Sequence, residues 1–342
     1  MAPRARVSVV IPTYNRGSLL PRAIRSVLNQ TFTDFELIVV DDASTDDTQR
    51  VVKGFSDLRV RYFRHERNRG GAAARNTGIG AARGEFIAFL DSDDEWLETR
   101  LAEQIGQGQS TTEDFGVFYC NVLVVDGRIV TRRDSANFEG SVRADLLGGW
   151  CPSTISCAVV RIGILSGNAF DSSLQSFQDY DLWLSLSEIT KFKYLPRALV
   201  LRHRHSGDQL SINPKRRKRA LEALEQKWLP RLTEEEATLF QGFLRKHRQT
   251  IALNELRESI AGRSVLGAAA ILLRNMNKGL DRRGLALLGI KSLLGPSQYE
   301  RLRIWNYKRK GRFVGYYGQD ERSALATTLA RSGNLHARGQ DD

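Results

Sequence analysis

The sequence predicts an α/β fold, in which a mostly parallel central sheet carries helices on both faces and is followed by a C-terminal α-helical region. Two observations support this prediction. Short apolar runs rich in β-branched residues alternate four times with segments whose apolar residues recur at helical spacing. Polar residues follow several of these runs, as loops at the carboxyl ends of parallel strands do.

The alternating units follow one another through the first third of the chain. The predicted strands are residues 7–11, 35–40, 60–63 and 86–90. The predicted helices are residues 18–28, 46–55, 71–82 and 96–105. Such a succession favours parallel strands with crossover helices on the sheet faces. We therefore expect the loops after strands one, two and four to meet at one edge of the sheet.

Two changes of pattern divide the rest of the chain. Strand-like stretches at residues 117–119, 121–125 and 128–131 surround the hairpin turn Asp126-Gly127. After Pro214 a basic run precedes a helical pattern that continues to Leu294. We predict an α/β domain at 1–214, with halves at about 1–110 and 111–214, and a basic helical region at 215–342.

Composition restricts the class of protein. The 342 residues are 41% hydrophobic, as in a globular protein with a substantial core, and the net charge of +12 favours anionic partners. The three cysteines form no Cys-x-x-Cys pair, so structural thiols are expected. No run has the length of a transmembrane helix or the pattern of a secretory signal, and we expect a cytoplasmic protein.

The acidic segment Asp91-Ser92-Asp93-Asp94 directly follows the fourth predicted strand. Mg²⁺ and Mn²⁺ prefer oxygen ligands and are often shared between one or two carboxylates and the phosphates of a substrate. The segment therefore indicates a divalent cation and a phosphate-bearing substrate. An acidic turn that only favours the start of the next helix is the structural alternative.

The motifs of two enzyme classes, the dinucleotide oxidoreductases and the Mg-dependent phosphohydrolases, are matched only in part by this sequence. A dinucleotide oxidoreductase needs Gly-x-Gly-x-x-Gly directly after the first strand, whereas Gly78-Ile79-Gly80 comes late and before a strand. A Mg-dependent phosphohydrolase using Asp91–Asp94 remains an alternative, although Glu95 stands where phosphatases of the haloacid dehalogenase type have Thr or Val.

Five segments together resemble the inverting glycosyltransferases of family 2, which have the GT-A fold and use nucleotide-activated sugars. The resemblance covers residues 7–210 and leaves out the basic C-terminal region. The segments are Val9-Val10-Ile11-Pro12-Thr13-Tyr14-Asn15, Val40-Asp41-Asp42-Ala43-Ser44-Thr45-Asp46, Ala74-Arg75-Asn76-Thr77-Gly78, Asp91-Ser92-Asp93-Asp94 and Gln178-Asp179-Tyr180-Asp181-Leu182-Trp183. Each is weak alone, but their order and spacing make a specific signature.

The resemblance implies a donor site for a nucleotide sugar, with a uridine diphosphate sugar favoured. It places Thr13 and Tyr14 against the nucleobase and gives Asp42 the imide edge of uracil, because a carboxylate accepts from that N–H. Arg75 would reach the diphosphate. The alternatives are a polar turn for Asp42 and a surface arginine for Arg75. The same resemblance adds these donor-site residues: Pro12, Asn15, Ser92 and Asp91, of which Asp91 is placed on the ribose side.

The resemblance also implies the cation ligands and the base. Asp93 or Asp94 would bind Mn²⁺ or Mg²⁺, which stabilises the departing nucleoside diphosphate. Asp179 would take the proton of the acceptor hydroxyl, with inversion at the anomeric carbon. The family usually has Glu-Asp at this point, and Gln178 replaces the Glu, which leaves the role of that charge in doubt. Caps for the following helix are the structural alternative for Asp179 and Asp181.

The resemblance leaves two further features open. His205 lies in a loop that resembles the family segment closing over the diphosphate, where it would contact the metal or the phosphates or remain solvated. The acceptor is expected to be a glycan or a lipid-linked sugar in cell-surface polysaccharide or glycoconjugate synthesis.

The basic run at residues 215–219 is expected to bind a membrane surface. We expect peripheral attachment to an anionic inner-membrane surface through Lys215, Arg216, Arg217, Lys218 and Arg219. A solvated face is the alternative, and nucleic acid is not expected because no nucleic-acid motif accompanies the run.

Overall fold

The structure, a computed structural model, describes residues 5–112, 114–127, 129–133, 138–165, 169–204, 213–261 and 313–316. Within this part of the chain, ten strands form one mixed sheet. The strands are β1 (Val7–Thr13), β2 (Phe35–Asp41), β3 (Val60–Arg64), β4 (Phe86–Phe89), β5 (Asp94–Trp96), β6 (Phe115–Asp126), β7 (Ile129–Arg133), β8 (Ala158–Arg161), β9 (Lys191–Arg204) and β10 (Phe313–Tyr316). The α-helices are α1 (Leu20–Leu28), α2 (Thr48–Lys53), α3 (Gly71–Ala81), α4 (Arg100–Ser110), α5 (Arg143–Leu147), α6 (Gln178–Leu186), α7 (Pro214–Trp228) and α8 (Glu234–Ala261).

The first half of the sheet is parallel, as predicted. Its strands lie in the order β3, β2, β1, β4, and all their pairings are parallel. Every residue of β1, β2 and β4 is buried, which explains why their sequences are continuous apolar runs and not alternating ones. Val9 pairs with Leu37 on one side and with Ala88 on the other, so β1 lies at the centre of this half.

Helix α3 packs closely on β1 because of Gly78. A Cβ atom at Gly78 would lie 2.3 Å from Cγ1 of Val10, a distance that side-chain carbons do not reach. The small residues of α3 therefore allow its backbone to approach the sheet. This close contact sets the distance of α3 from the sheet, and therefore the position of Arg75, which lies on the same helix.

The fourth unit differs from its prediction. The helix expected at 96–105 begins at Arg100 and ends at Ser110, and residues Asp94–Trp96 form the short strand β5. Strand β5 pairs with β9, more than 100 residues later in the chain. Helical spacing of the apolar residues could not reveal this pairing, because it depends on a partner distant in sequence.

The second half of the sheet is mixed. Strand β6 is one continuous strand where two were predicted, with shifts of register toward β9 near Cys120 and Asn121. Its first part pairs with β8, its second part with β7, and β9 runs parallel along its other edge. Strand β8 also pairs with β4, so both halves belong to one sheet.

The C-terminal helices share the core of the α/β part. Trp228 of α7 and the residues Phe240, Phe243 and Leu244 of α8 are buried in the same hydrophobic cluster as β1 and α6. Helix α7 begins at Pro214, where the domain boundary is predicted. The region after 215 also contributes one strand that the sequence does not predict, β10, which pairs with β7. The helical pattern at 262–294 lies outside the described residues.

None of the helices within the described residues combines the length and the apolar character that crossing a membrane requires.

Candidate active site

The loops after β1 and β2 are joined by hydrogen bonds at the edge where they were expected to meet. The backbone N–H of Asn15 donates to Oγ of Ser44 at 2.9 Å, and the N–H of Thr45 donates to Oδ1 of Asn15 at 2.7 Å. Asn15 and Ala43 have φ angles of 50° and 66°, in the left-handed region, which asparagine tolerates but which is unfavourable for alanine. Such strain is typical of functional sites.

Two predicted donor-site residues at the end of β1 differ in exposure. Thr13 is 3% exposed, and its hydroxyl has no hydrogen-bond partner within the described residues. Tyr14 is 45% exposed, and within the described residues no other aromatic side chain is among the exposed large hydrophobic ones. Pro12 is buried beneath them in β1. An exposed ring beside an unsatisfied hydroxyl is suited to a flat, polar ligand such as a nucleobase.

Asp42 is buried and forms several hydrogen bonds inside the protein. Its Oδ1 lies 2.7 Å from Nδ1 of His65 and accepts from the backbone N–H of Arg69 at 2.8 Å, while its Oδ2 accepts from the N–H of Gly70 at 2.7 Å. Asp42 therefore holds the loop that leads into α3. Its predicted contact with a uracil imide stays a prediction and would use the remaining lone pairs of the carboxylate.

The guanidinium of Arg75 connects two of the predicted motifs. Its Nη2 donates to Oδ1 of Asp91 at 2.8 Å, and its Nη1 donates to Oε1 of Gln178 at 3.0 Å. The group also lies over the ring of Phe170, with 5.4 Å from Cζ to the centroid. The sequence predicts a phosphate contact for Arg75 but not this bridge. The structure thus brings Asp91 and Gln178, 87 residues apart by their numbers, to one guanidinium.

The acidic segment after β4 is partly buried and is held at both ends by Ser156. The N–H of Asp91 donates to Oγ of Ser156 at 3.1 Å, and that hydroxyl donates to Oδ2 of Asp94 at 2.7 Å. Burial raises the pKa of the Asp94 carboxyl well above its ordinary value, and the charges of Asp91 and Asp93 raise it further. Ser92 is 9% exposed.

The donor set of this segment fits a hard divalent cation. It offers carboxylate oxygens, and a cation would offset both the burial and the neighbouring negative charges that raise the pKa of Asp94. Among the described residues, no group of three or more His, Cys, Asp or Glu side chains could by itself hold a metal ion. A cation held by one or two of these carboxylates would need further oxygen ligands, such as those of a substrate phosphate.

Asp179 lies in the first turn of α6, next to the Arg75 bridge. Its Oδ1 accepts from the N–H of Tyr180 at 2.9 Å. Burial raises the pKa of the Asp179 carboxyl above its ordinary value; the Tyr180 N–H and the charge of Arg75 lower it, and Asp91 raises it. Asp179 and Asp91 are therefore close enough to interact electrostatically. A half-buried carboxylate with a raised pKa is suited to accepting a proton.

Asp181 has a different environment from Asp179. It is 1% exposed, and its carboxylate accepts from Nζ of Lys227 and from Nε1 of Trp228, both at 2.8 Å. These donors belong to α7, in the region that the resemblance does not cover. Lys227 and Trp228 were not predicted as site residues, because nothing in the local pattern of α7 indicates a partner on α6.

Of the two histidines near the end of β9, the structure describes His203 but not His205. His203 is 8% exposed on β9, and its Nε2 lies 3.2 Å from Oε2 of Glu95, which makes it part of the β5 and β9 pairing region. His205 lies outside the described residues, so its contact with the metal or the diphosphate stays a prediction.

The basic run at the start of α7 does not present one uniform face. Lys215, Lys218 and Arg219 are exposed and Arg216 is half-buried. Arg217 points inward, with its Nη2 3.0 Å from Nδ1 of His247 and its guanidinium 5.0 Å from the ring of Phe177. Burial lowers the pKa of Arg217. A membrane surface would therefore meet the other four residues of the run.

The sequence comparisons point to one protein family. A model of the family described as glycosyl transferase family 2 matches residues 8–151. An Escherichia coli protein, UDP-Glc:alpha-D-GlcNAc-diphosphoundecaprenol beta-1,3-glucosyltransferase WfgD, is 35% identical over 180 residues, which are 53% of this chain and 69% of that protein. An uncharacterized glycosyltransferase of Rickettsia bellii is 35% identical over 184 residues, 54% of this chain but 26% of that longer protein. The chain matches at most 30% of the length of two further Rickettsia relatives.

Solved structures support the fold. The chain superposes on S. aureus TarS 1-349 in complex with UDP-GlcNAc with a TM-score of 0.53 at 19% identity, covering 81% of this chain and 93% of that one. The mannosyltransferase PcManGT from Pyrobaculum calidifontis, in complex with GDP-Man and Mn²⁺, gives a TM-score of 0.54 at 18% identity and covers 98% and 89% of the two chains. These superpositions confirm the predicted GT-A fold.

Proposed function

The chain belongs to glycosyl transferase family 2, and from this premise we propose that it is a metal-dependent, inverting glycosyltransferase. The proposed donor is a uridine diphosphate sugar, and the proposed acceptor is a hydroxyl of a glycan or a lipid-linked sugar. One observation carries the proposal. Arg75 bridges Asp91 and Gln178, so the acidic segment that would face the donor lies beside Asp179, the proposed base.

The proposed donor site uses the edge formed by β1 and β2. Thr13 and Tyr14 would contact the nucleobase, and the unsatisfied hydroxyl of Thr13 would gain a partner there. The joined loops of Asn15 and Ser44 would fix the position of that surface. TarS was solved with UDP-GlcNAc and the E. coli relative WfgD is named for UDP-Glc, which supports a uridine donor; PcManGT was solved with GDP-Man, so guanosine is the nucleotide to compare with it.

Asp93 and Asp94 are the residues that we propose for Mn²⁺ or Mg²⁺. When bound, the ion would stabilise negative charge on the departing nucleoside diphosphate. Asp91, already paired with Arg75, would orient the ribose side of the donor together with Ser92. The presence of Mn²⁺ in the PcManGT complex supports the use of a divalent cation.

The proposed reaction is a single displacement. Asp179 takes the proton of the acceptor hydroxyl, and the hydroxyl oxygen forms a bond to the anomeric carbon. The bond from that carbon to the diphosphate oxygen breaks, and its electron pair leaves with the nucleoside diphosphate. Because the attack comes from the face opposite the leaving group, an α-linked donor gives a β-linked product. Asp179 needs to be ionised for the first step.

For the acceptor, we propose a lipid-linked sugar at an anionic membrane surface. The relative WfgD is named for action on a diphosphoundecaprenol-linked sugar. The exposed side chains of Lys215, Lys218 and Arg219, with half-buried Arg216, would attract acidic headgroups, at roughly 1 kcal/mol for each residue near the surface. Binding to vesicles of acidic phospholipid would then fall steeply with salt.

A donor screen tests this proposal. The protein is incubated with Mn²⁺, a lipid-diphosphate-linked sugar and a panel of UDP-, GDP- and dTDP-sugars, and release of nucleoside diphosphate is measured. The proposal predicts release that depends on a UDP-sugar, on acceptor and on metal, and that stops with a chelator. Release of inorganic phosphate from simple phosphoesters, without use of any nucleotide sugar, would instead support the phosphohydrolase.

A further inference from the structure

We propose that the helical pair α7 and α8 positions Asp179, with Lys227 and Trp228 as positioning residues that act through Asp181. This inference deepens the proposed function and rests on it, because it concerns the same base. The family model ends at residue 151, well before these helices. Asp179 lies in the first turn of α6, so its position depends on how that turn is held.

The N-terminus of α6 lacks a local cap. Helices usually begin after Ser, Thr, Asp or Asn, whose side chain accepts from the first free N–H groups. Here the capping position is Phe177, which makes no such hydrogen bond and has a φ angle of 60°. A left-handed backbone conformation is unfavourable for phenylalanine and persists only when the surrounding structure holds the residue in place. The position of Asp179 therefore depends on tertiary contacts.

The ring of Phe177 is held by side chains from α7 and α8. Its centroid lies 5.0 Å from that of His247 and 6.1 Å from that of Phe243, both on α8. The guanidinium of Arg217, on α7, lies 5.0 Å from the same centroid. Three contacts from the helical pair thus surround the residue two positions before Asp179.

The residue after Asp179 is also held by α8. The rings of Tyr180 and Phe243 are stacked, with 4.3 Å between centroids and 6° between planes. The hydroxyl of Tyr180 donates to the carbonyl of Leu146 at 3.0 Å, which adds a contact with α5. Tyr180 is 2% exposed, so these contacts leave its ring little freedom.

Asp181 provides the third attachment, through α7. Its buried carboxylate is bound by Lys227 and Trp228 at 2.8 Å each, and Nζ of Lys227 lies 3.0 Å from Oδ2 of Asp171 as well. Lys227 therefore ties both α6 and the segment before α6 to α7. A buried carboxylate needs such partners, because ionised groups are costly to bury alone.

These contacts lie on both sides of Asp179 in the sequence, and none of them involves its carboxylate. A shift of about 1 Å in a catalytic group can cost about 10²-fold in rate. The donor-side loops are instead fixed by hydrogen bonds between Asn15 and Ser44. We therefore expect disturbance of the helical pair to reduce kcat while nucleotide binding is retained.

The test uses two variants with different severity. Lys227→Met removes the cation from buried Asp181. Trp228→Phe removes the indole N–H and part of a buried ring but keeps the ion pair of Lys227 with Asp181, so it tests the same attachment if Lys227→Met does not fold. The control Arg248→Met loses an ion pair that does not involve α6, from Arg248 of α8 to Glu225 of α7 at 2.5 Å, on a more exposed face. Measurements are the melting temperature, Kd for UDP, kcat and its pH profile.

We expect Trp228→Phe to lower kcat by about tenfold, because a looser first turn of α6 would displace Asp179 by less than the 1 Å that costs about 10²-fold. The Kd for UDP should stay within about twofold, and the acidic limb of kcat should move to lower pH, because a loosened Asp179 is better solvated. Lys227→Arg should recover more activity than Lys227→Met. Arg248→Met should match the wild type in kcat and pH profile.

Wild-type kcat and an unchanged pH profile in Trp228→Phe and Lys227→Met would overturn this inference, as would equal losses of kcat and UDP binding. Asp179→Asn, measured in parallel, separates this failure from failure of the proposed function. Transfer that survives in Asp179→Asn would remove Asp179 as the base and overturn both. An inactive Asp179→Asn beside fully active Lys227→Met would overturn the positioning role alone.

Discussion

The guanidinium of Arg75 is paired with the carboxylate of Asp91, with 2.8 Å between Nη2 and Oδ1. The side chain of Arg75 is 14% exposed and that of Asp91 is 31% exposed, so the pair lies at the border between protein and solvent. A phosphate entering the site would meet the guanidinium of Arg75, whose orientation is fixed by hydrogen bonds to Asp91 and Gln178. The pair would therefore link the proposed donor site with the start of α6.

Arg75→Lys should reduce activity although it keeps the charge. A lysine ammonium cannot direct two separate N–H groups to Asp91 and Gln178 as the planar guanidinium does. Loss of a hydrogen bond with a charged group costs about 1.5–3 kcal/mol, equivalent to roughly 10- to 100-fold in kcat/KM. Steady-state kinetics checks this value. Arg50→Lys, in an exposed pair with Asp47, serves as the control, and equal activity of both variants would refute the bridge.

Gln178→Glu should move the pH dependence of the reaction. Asp179 acts as a base only when ionised, and its pKa already lies above the ordinary value, so kcat should fall as the pH falls through that raised pKa. A second carboxylate at position 178 would raise the pKa further and shift the acidic limb upward by roughly 0.5–1 unit. A kcat profile from pH 4 to 8 measures the shift. Gln175→Glu adds the same charge at an exposed position and should leave the limb unchanged.

Two glycines of α3 should respond oppositely to alanine. In Gly78→Ala the new Cβ would meet Cγ1 of Val10 at 2.3 Å and Cγ2 at 2.8 Å, and such overpacking costs about 1–3 kcal/mol. At Gly80 nothing lies within 4 Å, so alanine should be neutral or stabilise the helix by up to about 1 kcal/mol. Urea unfolding compares the two. Equal free energies of unfolding would contradict the close packing of α3 on β1.

His247 should make the folded state sensitive to acid. Burial, with the charges of Arg217 and Lys246, lowers the pKa of His247 to about 4. The unfolded chain has the ordinary value of about 6.5, so between these values the unfolded state binds the extra proton and stability decreases as the pH falls. His247→Gln keeps an acceptor for Arg217 and does not titrate. Between pH 7 and 4.5, the free energy of unfolding of the wild type should fall by about 1–3 kcal/mol more than that of His247→Gln. An equal fall in both proteins would contradict the lowered pKa of His247.

The parallel half of the fold could be predicted from sequence because its signals are local. The buried strands β1, β2 and β4 are continuous apolar runs, and the loops at their ends are polar. Strand β5 could not be predicted, because Trp96 fits a helical pattern and is placed in a strand only by its pairing with Val200. The continuous strand β6 was missed for a similar reason, since its length depends on three neighbouring strands.

The candidate site was predictable as a set of motifs but not as a set of contacts. Arg75, Asp91 and Asp179 were predicted as site residues, whereas the bridge from Arg75 to Gln178 depends on how α3 and α6 are oriented. The pairing of Asp181 with Lys227 joins residues on two helices that no local pattern connects. Buried pairs of this kind result from tertiary packing, so they are found only when the three-dimensional positions of both partners are known.

The central claim, that Asp179 is the base of a glycosyl transfer, is tested most directly by kcat and UDP affinity in Asp179→Asn. Asparagine has nearly the same shape and accepts no proton, so kcat should fall by about 10²- to 10⁴-fold while the Kd for UDP stays within about twofold of the wild type. A kcat within about tenfold of the wild type, or loss of UDP binding together with kcat, would contradict the claim.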